Sequence, residues 1–399
     1  MKTKYNLLRT CLLLLALLLR PTAVQAQFRF TTNANNTITI NLYTGSDLSA
    51  IIPATTNGLP VTTIAAGAFT SSGITNVFIP YTVTNIGSGL FGNTLKLTAI
   101  NIDSQNPLWC SMDGVWFSKD LTTLIQFPEA KYGYTIPNTV TNIGSSAFIW
   151  CSKLTNVIIP NSVISIGNSA FQICNLTNIT IPNGVTSIGS AAFYECYQLA
   201  SVKIANSVTN IGDSAFRDCH GLTSITLPNS ITSLAVSIFG TCISLTSLTI
   251  PSSVTNMGNQ SLIQCSSLNA VYFQGNAPSA SDVFHYSGSM PIVYYLPGTT
   301  NWGATFGAFP ASRPTMLWNP QTQTSDGSFG VQSNQFGFNI NGNSNLVIVV
   351  EAATNLVNPV WDVVGTNTLN TFIGTNGASY FSDPQWTNYP GRFYRLRSP

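Results

Sequence analysis

Residues 179–204 read ITIPNGVTSIGSAAFYECYQLASVKI, and this stretch decides the fold. It holds a short β-like run closed by Pro182, an Ile188-Gly189 turn, Phe193, Cys196 and then the next run. Nearly the same string precedes and follows it. The proline position falls at Pro137, Pro160, Pro182, Ala205, Pro228 and Pro251, spaced 23, 22, 23, 23 and 23. The aromatic position follows the same spacing at Phe148, Phe171, Phe193, Phe216, Phe239 and Leu262. Three residues after each come Cys151, Cys174, Cys196, Cys219, Cys242 and Cys265. Two earlier copies, at Ile52-Pro53 and Ile79-Pro80, carry Phe69 and Phe91, but Ser72 and Thr94 replace the cysteine. One such unit cannot bury its own apolar face, whereas stacked neighbours share a continuous core. Independent small domains are excluded, because no unit is large enough to fold alone. The expected fold is a β-rich repeat solenoid.

Within each unit the pattern L-x-x-I-x-I recurs, as at Leu176, Ile179 and Ile181 and again at Leu222, Ile225 and Leu227. The last two apolar residues lie two apart, so on a strand they share the buried face. The proline ends the strand, because it cannot donate to a ladder. The downstream Ala-Phe-x-x-Cys then drops side chains into the core from the opposite wall. Here the chain resembles the BspA-type leucine-rich repeats of bacterial surface proteins, whose hallmark reads much like IPNSV-x-x-IG-x-x-AF-x-x-C-x-x-L. Residues 113–120, DGVWFSKD, followed by TTLIQFP at 122–128, look like that family's longer, hairpin-bearing unit. Residues 58–64, GLPVTTI, look like its first repeat. The resemblance covers about residues 28–318. It implies a secreted or surface binding scaffold with no common catalytic residues.

In chain order, Lys2, Lys4 and Arg9 precede an apolar run from Cys11 to Leu19, and Val24, Gln25 and Ala26 supply a cleavage site. Residues 1–26 therefore read as a secretory signal peptide, too short in its apolar part to span a bilayer. Residues 27–50 are expected as an N-terminal cap, and 51–273 as the repeats, with the longer unit at 103–135. From 274 to 318 the period fails and aromatics crowd in, which predicts a C-terminal cap. The Gln/Thr/Ser-rich 319–334 predicts a linker. Residues 335–399 read as short strands between Asn, Gly and Pro turns, a small all-β sandwich-like domain. Arg392, Arg395 and Arg397 at its end read as a solvated edge strand.

Composition narrows the partners. The chain carries a net charge of +2. Removal of Lys2, Lys4, Arg9 and Arg20 with the leader leaves 11 basic against 13 acidic residues. That argues against nucleic acid or an anionic membrane as partner. No later stretch is apolar enough for a transmembrane helix. Charged residues make up only 7%, so Asn, Ser and Thr must cover the surface.

The cysteine ladder invites disulfides in an exported protein. Stacked equivalents would run parallel, however, while a disulfide needs converging Cβ atoms. Buried thiols acting as small hydrophobes are therefore expected. A row of parallel thiols makes no tetrahedral metal site, so neither a metal nor another cofactor is expected. Only His220 and His285 are present, without a Gly-x-Ser-x-Gly, His-Glu-x-x-His or phosphate-binding loop. Paired carboxylates such as Asp213 and Asp218 stay open from sequence alone, but the expectation is no enzyme.

The side chains between the buried strand residues remain. Stacked, they form one row of Phe78, Asn101, Ile158, Thr180, Lys203, Thr226, Thr249 and Tyr272 on the concave strand face, beside a small polar row that includes Asn178 and Ser201. One reading is a solvated sheet whose Thr residues suit strands. The other is a binding platform for a protein or glycan, with candidate contacts at Phe78, Ile158, Thr180, Lys203, Thr226, Thr249 and Tyr272. A self-associating structural or adhesive protein is the alternative function. An ice- or crystal-binding surface fits less well, since Lys203, Ile158 and Phe78 break the Thr row.

Overall fold

The structure, a computed structural model, describes residues 27–397 except 287, 309–310, 343–345, 358 and 370–376. The leader proposed for residues 1–26 lies outside the described residues. The chain divides after Leu222 into two compact units.

In the first unit each repeat supplies two strands. The L-x-x-I-x-I run becomes strands such as Asn178–Ile181 and Ser201–Ile204, paired in parallel with Ile179 opposite Val202 and Thr180 opposite Lys203. Burial alternates along both, because Ile179, Ile181, Val202 and Ile204 face the core. Asn178–Ile181 stops at Pro182, which cannot donate to the ladder. Ser201–Ile204 stops at the same point, although Ala205 stands there and its amide still bonds to the Ile181 carbonyl at 3.2 Å. The Ile188-Gly189 element departs from expectation. It is not a plain turn: Ser187–Ile188 is a short strand of a second, seven-stranded sheet. That sheet runs Asn210–Ile211, Ser187–Ile188, Ser165–Ile166, Asn142–Ile143, Thr123–Gln126, Val115–Ser118 and Trp109–Met112. Gly189 is needed there for close approach, since a Cβ would lie 2.6 Å from the Asn168 amide nitrogen of the preceding repeat.

The third side carries Ala-Phe-x-x-Cys. Its amides also bond between repeats, as from Phe171 to the Ala192 carbonyl at 2.7 Å. Phe148, Phe171, Phe193 and Phe216 stack with centroids 4.7, 5.2 and 5.3 Å apart. The N-terminal end is closed by an antiparallel hairpin, Phe28–Thr32 with Ile38–Tyr43. From it Phe28 and Tyr43 lay their rings against Phe69.

The longer unit at 103–135 inserts a hairpin, Trp109–Met112 with Val115–Ser118. Its turn residues Asp113 and Gly114 both have positive φ, 52° and 73°, which suits a two-residue hairpin. The hairpin breaks the strand row that the sequence suggested was continuous. Ala99–Ile102 ends one three-stranded sheet, the Ile100 amide bonds instead to the Gly114 carbonyl, and a new sheet starts at Gly133–Thr135.

The second unit repeats this plan and then departs from it. Ser247–Ile250, Ala270–Phe273, Ile292–Tyr295 and Arg313–Leu317 pair in parallel. The repeat sheet thus runs on through 274–318, although the letter pattern there is lost. Thr305–Phe306 turns back antiparallel on Arg313–Leu317. The stretch 319–334, expected as a linker, contributes strands Gln321–Thr322 and Gly330–Gln332 to a sheet with Gln335–Gly342 and Gly377–Asp383. A second antiparallel sheet joins Asp362–Thr368, Val347–Ala353 and Phe393–Arg397. Phe336, Phe338 and Phe381 of the first sheet meet Tyr394 of the second, giving a small β sandwich. Arg395 and Arg397 lie partly exposed on an edge strand, but the terminal arginines are also paired. Arg395 and Arg397 hold buried Glu351 at 2.7 and 2.6 Å, and Arg392 pairs with buried Asp383 at 2.7 Å.

Candidate functional site

The strand-face side chains fall into three groups. In the first unit Ile158 is 54% exposed and Phe78 36%, and Thr180 and Lys203 are both exposed as neighbours in register. Lys203 makes no ion pair among the described residues. Two further members went unrecognised in the sequence: Ile51, opposite Phe78, and Thr135, opposite Ile158. Ile51 is 52% exposed. The Ile52-Pro53 copy was a sufficient signal for Ile51, and the Ile136-Pro137 copy was a sufficient signal for Thr135. In the second unit Thr226 is exposed and Thr249 half-buried.

Tyr272 corrects the expectation of an exposed anchor. It is 2% exposed, its ring stacks on Tyr294 at 5.0 Å, and it shares a core with Trp318, Phe338, Ile340, Ile348 and Val350. Burial raises its pKa, while a hydrogen bond to the Val347 backbone opposes this. The β module therefore covers the strand face at Ala270, Tyr272 and Tyr294. Tyr272 is an attachment point for the module.

The small polar row is partly self-satisfied, since Ser201 Oγ donates to Asn178 Oδ1 at 2.6 Å. Its hydroxyls serve the stacking of repeats as much as any ligand.

The ladder cysteines form no disulfides and are buried, and their thiols bond to backbone carbonyls. Cys174, Cys196 and Cys265 donate to the carbonyls of Phe148, Phe171 and Phe239 in the preceding repeat at 3.0, 3.1 and 3.1 Å. Thr94 does the same toward Phe69 with its hydroxyl, at 3.1 Å. Ser72, in the first repeat, has no such partner. Burial raises the Cys174 and Cys196 thiols well above the ordinary range and pushes Cys265 up to about 12, which suppresses the reactive thiolate.

The two histidines sit against acids. His285 Nδ1 lies 3.0 Å from Asp282 Oδ1, and His220 lies 3.8 Å from Asp218, which also meets Arg217. Among the described residues no cluster of three or more His, Cys, Asp or Glu is placed to hold a metal. No helix among them is long and apolar enough to cross a membrane.

The model of the BspA type leucine-rich repeat region matches residues 31–111, 132–219 and 186–303, in six copies. No curated protein matches the chain. Among solved structures, a leucine-rich cell surface protein from Faecalibacterium prausnitzii is 26% identical, covering 69% of this chain and 97% of its own, with a TM-score of 0.34. A leucine-rich repeat protein from Eubacterium ventriosum is 21% identical over 59% of this chain and 92% of its own, with a TM-score of 0.41. One from T. pallidum is 26% identical over 55% and 88%, with a TM-score of 0.31.

Proposed function

The chain belongs to the BspA-type leucine-rich repeat family, and we propose that it is a non-catalytic extracellular scaffold that binds a partner protein on its strand face. The observation that carries this reading is the row of exposed side chains on paired strands, with Thr180 and Lys203 in register on one parallel sheet and Ile158 presented beside Thr135 on a separate two-stranded sheet. A rigid sheet needs little ordering on association, so more of each contact appears as affinity. Exposed Ile158 and Lys203 in one row supply apolar and charged anchors of the kind that concentrate interface energy. Export through the leader at 1–26 belongs to the same proposal. A glycan partner would instead call for several exposed aromatic rings along the row, and with Tyr272 covered Phe78 alone remains among the candidate contacts.

The test begins with a cross-linking and pull-down screen of the protein against surface and extracellular proteins. Alanine variants at Ile158, Thr180 and Lys203 that fold normally should then lose affinity for the partner found. Unchanged binding by all three would remove the strand face from consideration.

A further inference from the structure

Where the inserted hairpin interrupts the stack, a cavity of about 370 Å³ opens in the first unit. It lies between the turns at 86–92 and 145–150, with the hairpin strands and Glu129 completing its lining. Its size is at the lower end of small-molecule sites, about 300–1,000 Å³. Three of the chain's seven tryptophans, Trp109, Trp116 and Trp150, line it. Trp109 and Trp116 meet edge to face at 5.2 Å, and Trp150 stands 37% exposed.

Two buried polar groups in this lining lack partners. Trp116 is 4% exposed and its Nε1–H makes no hydrogen bond. Glu129 is 1% exposed, and neither of its carboxyl oxygens has a partner of ordinary hydrogen-bond geometry. Such groups each carry a desolvation cost that native cores seldom leave unmet. Burial pushes the Glu129 pKa up to about 8, with the Thr94 and Asn93 amides opposing it, so at neutral pH it is an uncharged acid that both donates and accepts.

We propose that this cavity binds a neutral sugar ring, stacked on Trp150 at its rim and hydrogen-bonded to Trp116 and Glu129. The unmet groups are an N–H donor and a carboxyl, so the ligand must offer both an acceptor and a donor. Neighbouring ring hydroxyls do that, while the C–H face of a pyranose matches an indole. Glu129 is the only ionisable residue in the lining. A cation would satisfy it but could accept nothing from Trp116, and an anion would meet no positive charge. The site is distinct from the strand face and stands independently of the function proposed for that face.

The full chain is titrated with glucose, galactose, N-acetylglucosamine and their β-linked disaccharides, read by tryptophan fluorescence and calorimetry. At least one is expected to saturate with a fluorescence change. Trp116→Phe keeps an aromatic ring, though a smaller one, but removes the N–H, and should weaken binding about tenfold. Trp150→Ala, at the exposed rim, should weaken it similarly without a folding defect, and Lys203→Ala on the strand face should leave it unchanged. The proposal is overturned if no sugar saturates, if both tryptophan variants bind like the parent, or if choline or lysine amide binds instead with affinity rising as Glu129 ionises.

Discussion

The thiol of Cys196 donates a hydrogen bond to the backbone carbonyl of Phe171, 3.1 Å away in the preceding repeat. The same bond recurs from Cys174 to Phe148, from Cys219 to Phe193 and from Cys265 to Phe239. The ladder is thus a column of backbone caps in which the thiol fills apolar space and satisfies a carbonyl. Thr94 shows that a hydroxyl can take over.

This fixes an order of variants. Cys196→Ser keeps a donor and should cost about 1 kcal/mol, whereas Cys196→Val keeps the bulk, orphans the Phe171 carbonyl and should cost about 1–3 kcal/mol. Denaturant unfolding of the two variants measures the order, and a more stable valine variant would refute the capping role. Thiol reagents should reach half-buried Cys110 in the native protein, and the six ladder cysteines only after denaturation. Finding three disulfides by mass spectrometry would contradict the ladder outright.

The pH response should have opposite signs in the two units. Desolvation acts to raise the Glu351 pKa, but the hydrogen bonds and charges of Arg397 and Arg395 outweigh it and hold it below the ordinary 4.5. Its contribution to stability is present above that value and is lost as pH falls through the lower folded one. Because Arg395 and Arg397 are 48% and 39% exposed, salt should weaken the effect. Glu129 behaves in reverse: its folded pKa is raised to about 8, so stability declines as pH rises from 4.5 to about 8. Thermal melts across that range should show Glu351→Gln destabilised at neutral pH and close to the parent in acid. Glu129→Gln should be close to the parent in acid and more stable at pH 8. A Glu129→Gln variant less stable than the parent at pH 8 would mean that the carboxyl is ionised and paired in solution.

The repeat strands and the phenylalanine and cysteine ladders were legible because each recurs at every period, so chance matches average out. Ser187–Ile188 was not, since two residues are too few to show alternation and the neighbouring glycine reads as a turn. The break at the hairpin was half legible. Residues 113–120 announced it, but its effect on the strand row depends on Gly114 taking the Ile100 amide. Among the candidate contacts, Ile158, Thr180 and Lys203 stand exposed as the alternation implied. Tyr272 does not, because what buries it lies some seventy residues later and no local pattern encodes that contact.

Proteolysis should reveal the coupling that buries Tyr272. The segment between Gln321–Thr322 and Gly330–Gln332 is exposed at 324–327 and is the expected point of cleavage. The fragments should nevertheless co-migrate under native conditions, because Tyr272, Tyr294 and Trp318 share a core with Phe338, Ile340 and Val350. Prompt separation after cleavage would show that the module is tethered without being docked.

The strand face yields the prediction closest to function, and Tyr272 sharpens it. An exposed anchor and a buried attachment residue respond differently to truncation. Lys203→Ala removes an exposed charge from a paired strand, so it should leave the melting temperature nearly unchanged and lower partner affinity. Ile158→Ala deletes a half-exposed apolar side chain and should do the same, with a loss of about thirtyfold if it is a hot spot worth about 2 kcal/mol. Tyr272→Ala should cost about 3–5 kcal/mol in stability, the range for losing a large buried aromatic. It should affect binding only through loosening of the module. Melting curves and affinities measured on the three variants separate these cases. Loss of affinity by Tyr272→Ala at unchanged stability would put the partner on the second unit, and would mean that the module leaves the face when the partner binds.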